Sequence, residues 1–83
     1  VKFKAYSIFD EKAKAFLPPF FLHNEAVAVR AFADCVNNPE HQFGKHPTDY
    51  TLFCLGGFDD TTGSFEDLGC TLVVAGVQIK GVA

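Results

Sequence analysis

Three histidines (His23, His41, His46) and three cysteines (Cys35, Cys54, Cys70) are the side chains of this chain best suited to holding a metal or attacking a substrate. A structural zinc site needs such ligands at a defining spacing. Here they are scattered and no Cys-x-x-Cys pair occurs. A Cys–His nucleophile would need a third group to orient the base and an oxyanion site, and the sequence supplies a motif for neither. Asp59-Asp60-Thr61-Thr62-Gly63 is acidic, but it lacks the alternating oxygen ligands, the sixth-position glycine and the closing glutamate of a calcium loop. Gly56-Gly57 interrupts a strand pattern and reads as a bulge, not as a phosphate cradle. The expectation is a non-enzymatic protein with no catalytic residue, no metal and no cofactor.

Single-strand nucleic-acid binding asks for less: exposed rings on which bases stack, and a few cations along the phosphates. Tyr6, Phe20, Phe21, Tyr50 and Phe53 fall in strand-like runs, and seven Lys and Arg residues are available around them. Lys2, Lys4, Tyr6, Arg30, Lys45, His46, Tyr50 and Phe53 form the candidate nucleic-acid set. The competing reading makes the rings core and the lysines ordinary surface. A net charge of −3 weighs against duplex binding, which relies on neutralising many phosphates.

The elements that must position these residues follow from periodicity. In residues 1–10, Phe3, Ala5, Ser7 and Phe9 alternate with Lys2, Lys4, Tyr6 and Ile8, so a strand is predicted with Lys2 and Lys4 at a sheet margin. The run Ala15–Leu22 is broken by Pro18-Pro19. Proline gives no ladder hydrogen bond, which places this run at an edge or at a kink. Asn24 is an N-cap candidate followed by Glu25 at the positive helix end. Val29, Phe32, Ala33 and Val36 then repeat at helical spacing, predicting a helix over Glu25–Val36 that ends at Asn37-Asn38-Pro39. Residues 39–49 read as a long connection, Tyr50–Phe58 as a strand, and Asp59–Gly63 as a tight turn with a glycine bulge before Phe65. After Asp67-Leu68-Gly69, residues 70–83 read as an apolar tail able to add a strand or to meet a partner.

Composition bounds the rest. One domain covering 1–83 is expected at this length. Ten phenylalanines among 83 residues each bring roughly 150–250 Å² to bury. One small sheet and one helix are hard pressed to hide them all, which points to a homodimer or to an aromatic surface facing a ligand. The odd, dispersed cysteines fit free thiols in a reducing compartment. No apolar run approaches the roughly 20 residues that span a bilayer, and no secretory leader is visible. The absence of methionine suggests a removed initiator or a trimmed chain.

Several blocks carry a family resemblance. Tyr6-Ser7-Ile8-Phe9-Asp10, then Ala15-Phe16-Leu17-Pro18-Pro19-Phe20-Phe21, then Asn24-Glu25 come first. Lys45-His46-Pro47-Thr48-Asp49-Tyr50-Thr51-Leu52-Phe53, Gly57-Phe58-Asp59-Asp60 and Thr62-Gly63-Ser64-Phe65 follow in the same order. Together they resemble the small non-structural protein of gokushoviruses, single-stranded DNA phages of the Microviridae, across residues 5–66. From about Leu68 onward the chain departs from that pattern. The resemblance implies a viral, non-structural, DNA-binding protein made in the cytoplasm of an infected bacterium and acting in DNA replication or DNA packaging.

The combined expectation is an α+β fold. A small antiparallel sheet in the order β-β-α-β-β, with room for an extra C-terminal strand, carries the Glu25–Val36 helix on one face. The leading functional expectation is a bacteriophage accessory protein that contacts single-stranded DNA. The alternative is a homodimeric module that docks on the phage replication initiator or the assembling capsid. No membrane partner is expected.

Overall fold

The computed structural model describes residues 1–81; the last two residues of the expected apolar tail lie outside the described residues. Five strands form one antiparallel sheet: β1 (Lys2–Asp10), β2 (Ala15–Phe16), β3 (Phe20–Leu22), β4 (Tyr50–Asp59) and β5 (Ser64–Ala75). The order is β2-β1-β4-β5, with β3 also on β1. β2 meets the far end of β1 through Phe9 opposite Phe16, and β3 meets its middle through Lys4–Tyr6 opposite Leu22–Phe20. The predicted edge run is thus two short strands, split where Leu17-Pro18-Pro19 leaves the ladder. The backbone amide of Leu17 bonds the Ile8 carbonyl, and the buried Ser7 hydroxyl donates to the Leu17 carbonyl. These bonds hold the split segment against β1.

The helix α1 spans Glu25–Val36, and the Asn24 side chain accepts from the Val27 amide at 3.0 Å, as the capping pattern requires. Ala28, Phe32 and Val36 recur every fourth residue and are buried against the sheet. With Tyr6, Ile8, Tyr50, Leu52, Phe43 and Ile79 they make the core. Residues 39–49 are not an open crossover. They hold a one-turn helix, α2 (Gln42–Lys45), and a 3-10 turn, Pro47–Asp49. The reason is Phe43, whose buried ring sits 5.8 Å from Phe32 and 4.5 Å from Tyr50.

The turn after β4 is as predicted in kind. Asp59 accepts from the Thr61 amide at 2.9 Å, and Gly63 takes φ of +74°. The expected interruption at Asp67-Leu68-Gly69 is instead a bulge inside β5. Asp67 accepts from the Gly69 amide at 2.9 Å and Gly69 turns to φ of +79°, so the strand bends and continues. It ends at a third short helix, α3 (Gly76–Ile79). Its placement depends on Gly76, where an added Cβ would lie 2.3 Å from the Pro47 carbonyl oxygen. Ile79 enters the core, and the Asn37 side chain donates to both the Ala33 and the Ile79 carbonyls. Lys80 Nζ reaches the Val36 carbonyl at 3.1 Å, a cation at the negative end of α1.

The result is a slab of 40 × 27 × 18 Å. Its shortest dimension accommodates one sheet and one layer of helix. Among the described residues, nothing forms a third layer.

Candidate functional site

Strand register sorts the sheet residues into two faces, because paired residues share a face and successive residues alternate. Tyr6 and Ile8 of β1, Phe20 and Leu22 of β3, Leu52 and Cys54 of β4, and Val74 of β5 point to α1. The opposite face carries Phe3, Phe9, Phe16, Phe21, Phe53, Phe58 and Phe65, with Ala5, Ser7, Gly56 and Leu72. The extra residue Leu55 on β4, where the register shifts, keeps Phe53 and Phe58 on this same side. Sequence reading placed the β1 members on one face, but it could not show that the helix would choose the other.

These rings form two clusters. At one end Phe9, Phe16 and Phe53 meet edge to face, with Phe9–Phe16 at 5.0 Å and Phe16–Phe53 at 5.4 Å. At the hairpin end Phe58 lies 4.9 Å from Phe65 and 5.5 Å from Phe21, and Phe3 packs on His23 at 4.4 Å. Edge-on and tilted contacts of this kind are favourable for aromatic pairs. The clusters remain open to solvent: Phe16 is 42% exposed, Phe21 41%, Leu72 56% and Phe65 72%. A contiguous apolar surface of this sort is uncommon on a protein that works alone.

The expected nucleic-acid set is not assembled. Tyr6 is fully buried and Tyr50 nearly so, both beneath the helical side. A ring closed off in this way offers no face to a base, so their stacking role is corrected: they are core residues. Burial pushes both phenols above their ordinary pKa, with neighbouring acidic groups adding to the effect. The Tyr6 hydroxyl has no hydrogen-bond partner among the described residues. Of the rings proposed for stacking, Phe53 and Phe21 lie on the open aromatic face, and of these only Phe53 belongs to the candidate set.

The cations also lie elsewhere. Lys2 and Lys4 share the Tyr6 side of β1, and at the hairpin end they line a groove with Asp59 and Glu66 whose wall also includes Phe3, His23 and Phe58. Arg30 lies on the outer side of α1 in a shallow groove with Glu25, Asp34 and Asn37. Lys45 ends α2 and His46 follows it, both exposed. Within the strands, register puts no lysine or arginine on the aromatic face; its charged member is Asp67, near the β5 margin. Lys12 and Lys14 lie in the turn beside β2.

Among the described residues, no three His, Cys, Asp or Glu side chains gather as a metal site, and Cys35, Cys54 and Cys70 are free thiols. Burial raises the pKa of the Cys35 thiol, helped by Asp34 nearby, which disfavours the reactive thiolate. No described helix is long and apolar enough to cross a membrane.

The Phage ORF5 protein family model matches residues 3–79, nearly the whole chain. The chain belongs to the Phage ORF5 protein family. No curated protein and no solved structure gives a significant match. The match makes this a phage protein and takes in all five strands except the first residue of β1, the whole aromatic face and the helix that covers the other side.

Proposed function

We propose that this phage protein is a non-enzymatic, non-structural accessory factor of a small single-stranded DNA phage of the gokushovirus kind. It works in the cytoplasm of the infected bacterium, assists genome replication or packaging, and acts through the aromatic sheet face as a protein-docking module. Family membership across residues 3–79 and the ordered sequence blocks support the phage setting. The observation that carries the docking mode is the pairing of two solvent-open phenylalanine clusters with a register that puts no strand lysine or arginine on their face of the sheet. Neutral aromatic surface gains most from contact with another apolar surface. A polyanion would need cations on the same side.

Direct contact with single-stranded DNA is the second reading. Phe16, Phe21 and Phe65 are exposed on an open sheet, the arrangement that stacking platforms use, and Lys12 and Lys14 lie in the turn leading to β2.

Fluorescence anisotropy of a labelled poly-thymidine oligonucleotide, at low and near-physiological salt, separates the two readings. The docking reading expects no saturable binding at tens of micromolar protein. Saturable binding that weakens with salt and is lost in Phe65→Ser would overturn it in favour of DNA contact.

A further inference from the structure

We infer that the occupant of the aromatic face is a second copy of this chain, packed sheet against sheet about a two-fold axis. This inference rests on the docking reading and names its partner. Three features of the face favour self-association.

The first is charge. The protein carries a net charge of −3, so two copies repel unless they meet through neutral surface. The aromatic face is where register gathers phenylalanines and leaves the strand lysines and most of the acids on the other side. Asp67 sits towards the free edge strand β5, where a carboxylate can stay in water at an interface rim.

The second is arrangement. In β1, Ala5 and Ser7 lie between Phe3 and Phe9; in β4, Gly56 lies between Phe53 and Phe58. These small residues are themselves buried, so the exposed apolar surface is concentrated in the ring clusters towards the two ends. A two-fold operation can turn the face end for end and set each cluster against the partner's other cluster, the self-complementarity that an isologous contact needs.

The third is area. With side chains of roughly 200 Å², Phe16, Phe21, Phe65 and Leu72 expose about 400 Å² per copy, and the half-buried Phe3, Phe9, Phe53 and Phe58 bring the total to on the order of 600 Å². Two copies would then bury about 1,200 Å², the lower end of the range for specific, stable interfaces. Aligned sheets pack about 10 Å apart, a spacing that interdigitated phenyl rings fill.

The test is sedimentation equilibrium of the intact chain over a concentration series, with Phe65→Glu, Leu72→Glu and Val27→Glu beside it. Phe65 and Leu72 are exposed on the aromatic face, and Val27 is an exposed apolar residue on α1, at 46%. Circular dichroism confirms that each variant is folded. The expected result is a dimer for the wild type and for Val27→Glu. Phe65→Glu and Leu72→Glu should weaken dimerisation by about 100-fold or more, because each buries an unpaired carboxylate. A wild type that stays monomeric throughout, or a dimer that only Val27→Glu disrupts, would overturn the inference. Adding the poly-thymidine oligonucleotide to a monomeric wild type then tells the two failures apart. Salt-sensitive binding would remove the docking reading as well, whereas no binding would leave docking intact with a different protein as partner.

Discussion

On the helix side of the sheet, Tyr6 and Leu52 are completely closed off from solvent, whereas on the other face of the same sheet Phe65 keeps 72% of its surface exposed. The two faces are built from similar residue types by the same alternation, yet they have different fates. The difference lies in what the chain has left to cover them. Its one long helix follows β3 and folds onto the side of Tyr6 and Ile8, and α2, the 3-10 turn and α3 complete that same layer through Phe43, Tyr50 and Ile79. Nothing among the described residues remains for the phenylalanine side. Apolar patterning on a strand therefore marks a face for burial without saying whether the chain itself does the burying.

The comparison can be broken first where the covered face is tightest. Leu52→Ala empties a fully enclosed position and should cost about 2–5 kcal/mol in urea unfolding. A loss no larger than that of a surface change would mean that the helix layer is not the core. Next is the contact between α3 and the 3-10 turn. Gly76→Ala forces a methyl to within 2.3 Å of the Pro47 carbonyl oxygen unless the backbone moves, so a loss of about 1–3 kcal/mol is expected. A neutral result would show α3 to be loosely held.

Tyr6→Phe sharpens the contrast from the opposite direction. It removes a buried hydroxyl that has no partner among the described residues, and stability should hold or rise by about 1 kcal/mol. A clear loss would show that this hydroxyl is satisfied in solution. The smallest effect belongs to the open face. Phe65→Ser, measured where the chain is monomeric, should shift unfolding by less than about 0.5 kcal/mol. A larger loss would place this ring in the structural core and not on a working surface.

Much of the architecture was legible because its signals are local. The bounds of α1 follow from an asparagine cap, the helical spacing of Val29, Phe32, Ala33 and Val36, and a prolyl stop, and the hairpin turn from Asp59 and Gly63. The split edge run follows from two prolines that cannot donate. What could not be read depends on distant contacts. Phe43 lies in a polar stretch, and only the ring sites offered by Phe32 and Tyr50 draw it inward. Gly69 looks like a stop but bends β5 without ending it. Gly76 turns the chain because Pro47 is close by. The candidate site suffered most. Tyr6 was correctly paired with Lys2, Lys4 and Ile8, but a helix covering half of that face buried the ring while leaving the lysines wet. Arg30, Lys45 and His46 belong to elements on other surfaces, which spacing along the chain does not reveal.

The most direct test of the division between faces is aromatic NMR of the ten phenylalanine rings, followed through a dilution series and then with poly-thymidine oligonucleotide added. The expected result is concentration-dependent shifts for the open-face rings, led by Phe16, Phe21 and Phe65. Phe20, Phe32 and Phe43 should stay fixed, and the oligonucleotide should change nothing. Shifts centred on the helix-side rings, or open-face rings that respond to the oligonucleotide alone, would contradict the picture of a neutral aromatic face kept for a protein partner.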